Sequence, residues 1–489
     1  MAKGEERLVP RGYVGIFAML ASCFALWGLL NNMTDNLVPS FQKIFMTSQS
    51  TAGFVQVSFY GAYSVIALLA SFLIQRKGYR VGVLAGLGVY ILGALMYVPA
   101  CILQSFWTYI VGIFVVAGGC AVLETTCNPY VLALGAPETA VRRLNFAQMF
   151  NPLGSFLGIV LAQQLILANL NPATAEERAA MAPEALRTIV HHELFWVCVP
   201  YVGLCAVAAL IWAFFFRSKP TEADRAEGGG AADLGLVLRI LARSPRWYCG
   251  VVAQVFYVGV QIAAWTWMNV YCQKELGVTP AQGASYYLVA LVLFIACRWL
   301  CTFLMKWFDP ARMMAVFAFG AILSTLGVMY LRSDVLFTVG SLPFSANVVC
   351  LCAMSGFMSL MFPTIYGIGL GGIDPRAHKL GAAGLIMAIV GGALLTPWMA
   401  SIIDSPGVWA GLVPMFDSAV DPNLHASSMS LRASFVVPAI CFAVVFAYAV
   451  AFRTRRRDSL RSALREPHSR HPVQRQGELY QIPPPQGEN

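Results

Sequence analysis

The stretch RSKPTEADRAEGGGAADLG, residues 217–235, decides the fold. It is polar, carries three consecutive glycines and reads as a linker. The chain on either side is built from apolar runs. A run of roughly 20 apolar residues is long enough to cross a bilayer as a helix. Six such runs precede the linker, at about 13–38, 52–75, 81–103, 106–135, 142–169 and 193–217. Six follow it, at about 246–273, 281–305, 311–332, 343–371, 379–404 and 429–453. The expected fold class is an all-α membrane protein with twelve transmembrane helices in two six-helix halves. The expected divisions are 1–12, 13–217 (first half), 218–245 (linker), 246–453 (second half) and 454–489 (tail).

Composition points the same way. The 489 residues are 58% hydrophobic and 12% charged. A soluble domain is about 25% charged, so this chain cannot cover a globular surface. The polar start, MAKGEERLVPRGY, runs into a spanning-length apolar segment with no small-residue cleavage site, so no cleavable signal is expected. The 13 cysteines form no C-x-x-C pair and read as small buried hydrophobes. Neither metal nor cofactor is expected.

Charge sets the expected orientation. Of the 33 Lys and Arg residues, 26 fall on the side of the linker and both termini and 6 on the other side. Arg298 alone lies inside a span. Basic residues gather on the cytoplasmic side, so both termini should be cytoplasmic. This pattern explains the net charge of +9 without a nucleic-acid partner. The tail after residue 453 is basic, then Pro-rich, and should be disordered.

The informative residues are those that do not belong in hydrocarbon. The first span ends in NNMTD, where Asn31 and Asp35 share a face and Asn32 stands beside them. The fourth carries Glu124 and Asn128, again four apart, then Pro129. In the fifth, Asn145, Gln148 and Asn151 recur every three residues. In the seventh, Gln254, Tyr257 and Gln261 line one face, with Trp265 a turn further. A lone amide in a span is adequately read as inter-helix glue, at about 0.6 kcal/mol per bond. Three polar stripes with two carboxylates are better read as an ion or substrate path. Arg298 is a candidate charge partner for a carboxylate, a substrate contact, or a structural residue at its helix end.

The halves are not equivalent. Pro363 of the tenth span aligns with Pro129, which sets Met358 against Glu124 and Phe362 against Asn128. The first half supplies carboxylates and amides. The second supplies mainly aromatic and apolar surface, Phe362 and Tyr366 included. A sugar ring fits such a cavity, with hydroxyls on the amides and its C–H face on the aromatics.

At these residues the chain resembles the L-fucose:proton symporter (fucose permease) family of the major facilitator superfamily. The resemblance is carried by FALWGLLNNMTDNLVPSFQ, LETTCNPYV, RLNFAQMFNPLGS, AQVFYVGVQIAAWTW, FMSLMFPTIYGIG and GGALLTPWM, and extends from about residue 15 to 453. It implies inward sugar movement with a proton by alternating access, and Asp35 and Glu124 as the proton-coupling residues. It implies sugar contacts among Asn31, Asn32, Asn128, Gln148, Asn151, Gln254, Tyr257, Gln261, Trp265, Phe362 and Tyr366. One departure is the loop after the second span, SFLIQRKGYR, where Gln75 replaces the superfamily's usual acid. Relatives with the same signatures carry glucose, galactose or N-acetylglucosamine. Sodium coupling and a transporter-like sugar sensor are the rival functions. No nucleophile–base set suggests an enzyme, and a monomer in the lipid bilayer is expected.

Overall fold

Gly78 divides what would otherwise be a single helical rod, Phe54–Leu103, of 50 residues. Its φ of 83° and ψ of 170° break the helix, a conformation that glycine adopts without steric cost. Fifty residues are far longer than one span needs, so the rod is two spans. The computed structural model describes residues 8–35, 37–47, 49–52, 54–173, 175–225, 234–405 and 429–452. With the rod counted as two, the described residues contain the twelve expected spans. The first six are α1 (Val14–Asp35), α2 (54–77), α3 (79–103), α4 (Phe106–Ala133), α5 (Pro137–Asn169) and α6 (Pro183–Arg217). The rest are α7 (Pro245–Leu276), α8 (Gln282–Leu304), α9 (Pro310–Tyr330), α10 (Ala346–Leu370), α11 (His378–Ile403) and α12 (Met429–Ala451). The expected tail lies outside the described residues.

Two details differ from the sequence reading. Between α9 and α10 stands an antiparallel hairpin, β1 (Val335–Val339) and β2 (Leu342–Ser345), so the chain is not wholly helical. Its β-branched and aromatic residues turn around Gly340, at φ 62°, and Ser341. The tenth span therefore starts at Ala346, three residues later than expected. The linker also holds two short helices, Glu222–Arg225 and Leu234–Ala242.

Buried apolar side chains form two clusters. One is built from α7–α12. The other is built mainly from α1–α6, but also takes in Tyr366, Leu370, Leu380, Leu385 and Ile386 of α10 and α11. The second half thus reaches into the core of the first at one end of the molecule. Contacts there are close. A Cβ on Gly367 would lie 2.8 Å from Val141, and the Lys379 ammonium sits 5.4 Å from the Tyr79 ring centre. This sealed end also carries the residues just before α1 and the first part of the linker: Tyr79 stacks on Tyr130, whose hydroxyl donates to Asp224 at 2.7 Å, and Glu222 N donates to the Tyr13 hydroxyl at 3.3 Å.

Among the described residues, each half carries one buried ion pair. Arg178 grips Glu193, at 0% and 1% side-chain exposure. Arg432 grips Glu275, at 8% and 2%. Asn171, Ser333 and Asn347 supply further hydrogen bonds to these carboxylates. Such pairs hold together only when their remaining donors and acceptors are also satisfied.

Candidate functional site

A cavity of about 910 Å³ lies between the halves. Its walls come from the second half of α1 and α11, the first half of α2, the middle turns of α5 and α7 and much of α8, with Glu124 of α4 and Phe362 of α10. It therefore opens at the end opposite the linker. Close packing of α1 on α5 creates one wall. A Cβ on Gly28 would lie 2.1 Å from the Asn151 carbonyl oxygen, and one on Gly154 only 2.0 Å from that of Ala25. Small residues let the two backbones touch. This sets Asn31 and Asn32 beside Asn151, and all three line the cavity. Asn151 Nδ2 donates to the Phe24 carbonyl at 3.4 Å, and Asn32 Nδ2 to that of Gly28 at 3.2 Å.

The floor belongs to α4 and α5. Asn128 Nδ2 donates to the Glu124 carbonyl at 2.9 Å, and its Oδ1 accepts from Gln148 Nε2 at 2.6 Å. Asn128 is thereby spent on protein and does not reach the cavity wall, whereas Gln148 does. Glu124 borders the cavity at 0% exposure, and neither carboxyl oxygen has a hydrogen-bond partner among the described residues. An unpaired buried carboxylate is among the most costly groups a protein can hold, so its charge is held only at high free energy.

The second half gives the aromatic wall. Trp265 lines the cavity, its Nε1 donating to Ser355 Oγ at 3.1 Å. Tyr287 and Phe294 meet its ring edge-on, with centroids 5.6 and 5.3 Å away. Gln261 and Phe362 complete the expected set on this wall. The Tyr287 hydroxyl also donates to Asn32 Oδ1 at 3.3 Å, across the halves.

Besides Asn128, three more expected contacts lie off the cavity wall. Tyr257 is buried and donates to the Met358 carbonyl at 3.0 Å. Gln254, one turn further along α7, is buried at 0% exposure, and among the described residues neither amide atom is bonded. Tyr366 lies one turn beyond Phe362, inside the sealed end. Each sits on the expected face but below the cavity, because helical period fixes a face and not a depth. Asn145 also points into the sealed end, donating to Thr364 Oγ1 at 3.4 Å. Arg298 borders the cavity, but its guanidinium meets two main-chain carbonyls, of Ser359 at 2.5 Å and Gln148 at 3.1 Å. Among the described side chains it pairs with no carboxylate. Asp35 ends α1, and its side chain lies outside the described set.

Sequence reading missed Trp27, Gln56, Tyr60, Tyr63 and Tyr287 on the wall. The signal was present on α2, where Gln56, Tyr60 and Tyr63 recur at helical spacing.

The sequence model of the Major Facilitator Superfamily matches residues 15–397. An L-fucose-proton symporter of Haemophilus influenzae is 37% identical over 449 residues, covering 91% of this chain and 98% of that protein. The chain belongs to the L-fucose:proton symporter family of this superfamily. It is thus an integral, multi-pass membrane protein and not an enzyme. A solved structure of FucP, a transporter of the superfamily, in the outward conformation aligns with a TM-score of 0.77 at 30% identity, covering 91% of this chain and 100% of that one. A glucose/galactose transporter of Brucella abortus is 26% identical over 454 residues, 91% of this chain and 95% of its own.

Proposed function

We propose that the protein is a proton-coupled symporter that brings L-fucose, or a closely related monosaccharide, into the cell by alternating access. The observation that carries this reading is the unpartnered Glu124 carboxyl on the floor of a cavity walled by amides and aromatics. At about 910 Å³ the cavity is in the range of small-molecule sites, roughly 300–1,000 Å³. The clustering of basic residues supports cytoplasmic termini and a cytoplasmic sealed end, with the cavity facing outward. Glu124 takes a proton from outside while sugar hydroxyls bond Gln148, Asn151 and Asn31, and the ring packs on Trp265 and Phe362. Neutralising the carboxyl removes the cost of enclosing its charge, and the halves rock to open the sealed end. Proton and sugar leave to the cytoplasm. Asp35, at the end of α1, is the second acid of the path. A membrane potential contributes about 2.3 kcal/mol per proton per 100 mV.

The test is uptake of labelled L-fucose into proteoliposomes under an imposed proton gradient. Collapse of the gradient should abolish accumulation, and removal of sodium at fixed pH should not. Loss of uptake on sodium removal would overturn proton coupling. The likeness to the glucose/galactose transporter supports a second substrate reading. Competition by unlabelled glucose or galactose, with none by L-fucose, would replace the sugar assignment and leave the coupling intact.

A further inference from the structure

Arg298 is a buried cation that meets carbonyls in place of a carboxylate, and the sequence explains which carbonyls. A helix bonds the N–H of residue i to the carbonyl of residue i−4, and proline has no N–H to give. Pro152 therefore leaves the Gln148 carbonyl without its intrahelical donor. Pro363 does the same to the Ser359 carbonyl. Both helices break at those points: α5 between Gln148 and Phe150, and α10 between Met358 and Met361. Arg298 takes both freed carbonyls, Nε–H donating to Ser359 and an Nη1–H to Gln148. Its guanidinium carbon also lies 4.7 Å from the Phe294 ring centre. The first carbonyl belongs to its own half and the second to the other half.

The place of this bond matters. Gln148 and Arg298 border the cavity, while Asn145 and Thr364, about one turn further along α5 and α10, already lie in the sealed end. The Arg298–Gln148 bond is thus the first tie beneath the cavity. We propose that Arg298 is an inter-half latch, a positioning residue that holds the sealed end shut through the carbonyl that Pro152 frees. The inference rests on the alternating-access reading and deepens it. Parting of the halves beneath a bound sugar must break this bond. The carbonyl belongs to the same residue whose side-chain amide faces the sugar, so binding and latch share Gln148.

Two variants attack the bond from opposite partners. Arg298→Lys keeps the charge but replaces a planar fork with a single ammonium that cannot reach both carbonyls in the same geometry. Pro152→Ala leaves Arg298 untouched and restores an N–H that competes for the Gln148 carbonyl. Hydrogen–deuterium exchange of the full-length protein, without sugar, is read at the sealed end (140–148 and 359–370) and at the cavity mouth (56–64 and 258–266). Each variant should raise exchange at the sealed end by about tenfold, the weight of a hydrogen bond to a charged group. Each should lower it at the mouth, because opening one end closes the other. The double variant should exceed neither single variant, since all three lose one bond. Additive effects, or loosening at the sealed end without tightening at the mouth, would overturn the latch. So would unchanged exchange in Pro152→Ala, which remains decisive if Arg298→Lys does not fold. Wild-type uptake tests the transport reading separately, so the two failures are distinguishable.

Discussion

Glu124 and the pair Glu193 and Glu275 are all shut away from solvent, yet they are kept in opposite ways. Glu193 receives a guanidinium from Arg178 and a backbone N–H from Asn171. Glu275 receives Arg432, Ser333 and Asn347. Glu124 receives no hydrogen bond from the described residues. The two partnered acids stand in the parts of α6 and α7 farther from the linker, and each binds one half to itself. The unpartnered acid stands between the halves, on the cavity floor. A satisfied buried carboxylate is a fixed charge and holds structure. An unsatisfied one is poised to exchange a proton, and its position is where a carrier needs one.

Mutation can break this contrast. Glu193→Gln or Glu275→Gln strands a buried arginine, which should cost about 3–5 kcal/mol of stability. Unfolding of purified protein in detergent should show that loss. Glu124→Gln strands nothing and should melt at or above the wild-type temperature. If all three melt alike, the contrast has no energetic basis. The next effect is smaller and falls on binding. Gln148→Ala removes an amide from the cavity wall and should weaken sugar binding by about 1–3 kcal/mol, with little change in melting. Calorimetric titration of the purified variant measures it. An unchanged affinity would return Gln148 to a structural role beside Asn128.

The smallest effect should come from an exposed pair. Arg376 holds Asp374 in a fork at 2.7–3.2 Å and pulls its carboxyl down to about 2. Solvent screens such a pair, and exposed ion pairs contribute little. Asp374→Asn should leave melting temperature and uptake unchanged. A clear loss in either would show that pairing, and not burial, separates the three acids.

The twelve spans were legible because length and hydrophobicity alone decide them. The linker was legible as a break in composition, but its helix at 234–242 was hidden in a short apolar run, LGLVLRILA. The hairpin at 335–345 was missed because strands of five and four residues carry little periodic signal. Helical spacing picked out faces that border the cavity. Asn31, Gln148, Asn151, Gln261 and Trp265 line the cavity. Gln254, Tyr257 and Tyr366 share those faces but lie deeper, and depth follows from how the halves meet. Arg298 was visible as a charge out of place. Its partners were encoded by Pro152 and Pro363, which read as helix breakers only once the freed carbonyls were seen with a donor on them.

The central claim is that Glu124 carries the proton and couples it to the sugar. Glu124→Gln fixes the side chain in the shape and charge of its protonated form. Counterflow exchange of labelled sugar and gradient-driven accumulation should be measured on the same proteoliposomes. Exchange should persist, because the loaded carrier can swing without releasing a proton. Accumulation should vanish, because the empty carrier can no longer reset by losing one. A variant that still accumulates sugar against its gradient would contradict the claim directly.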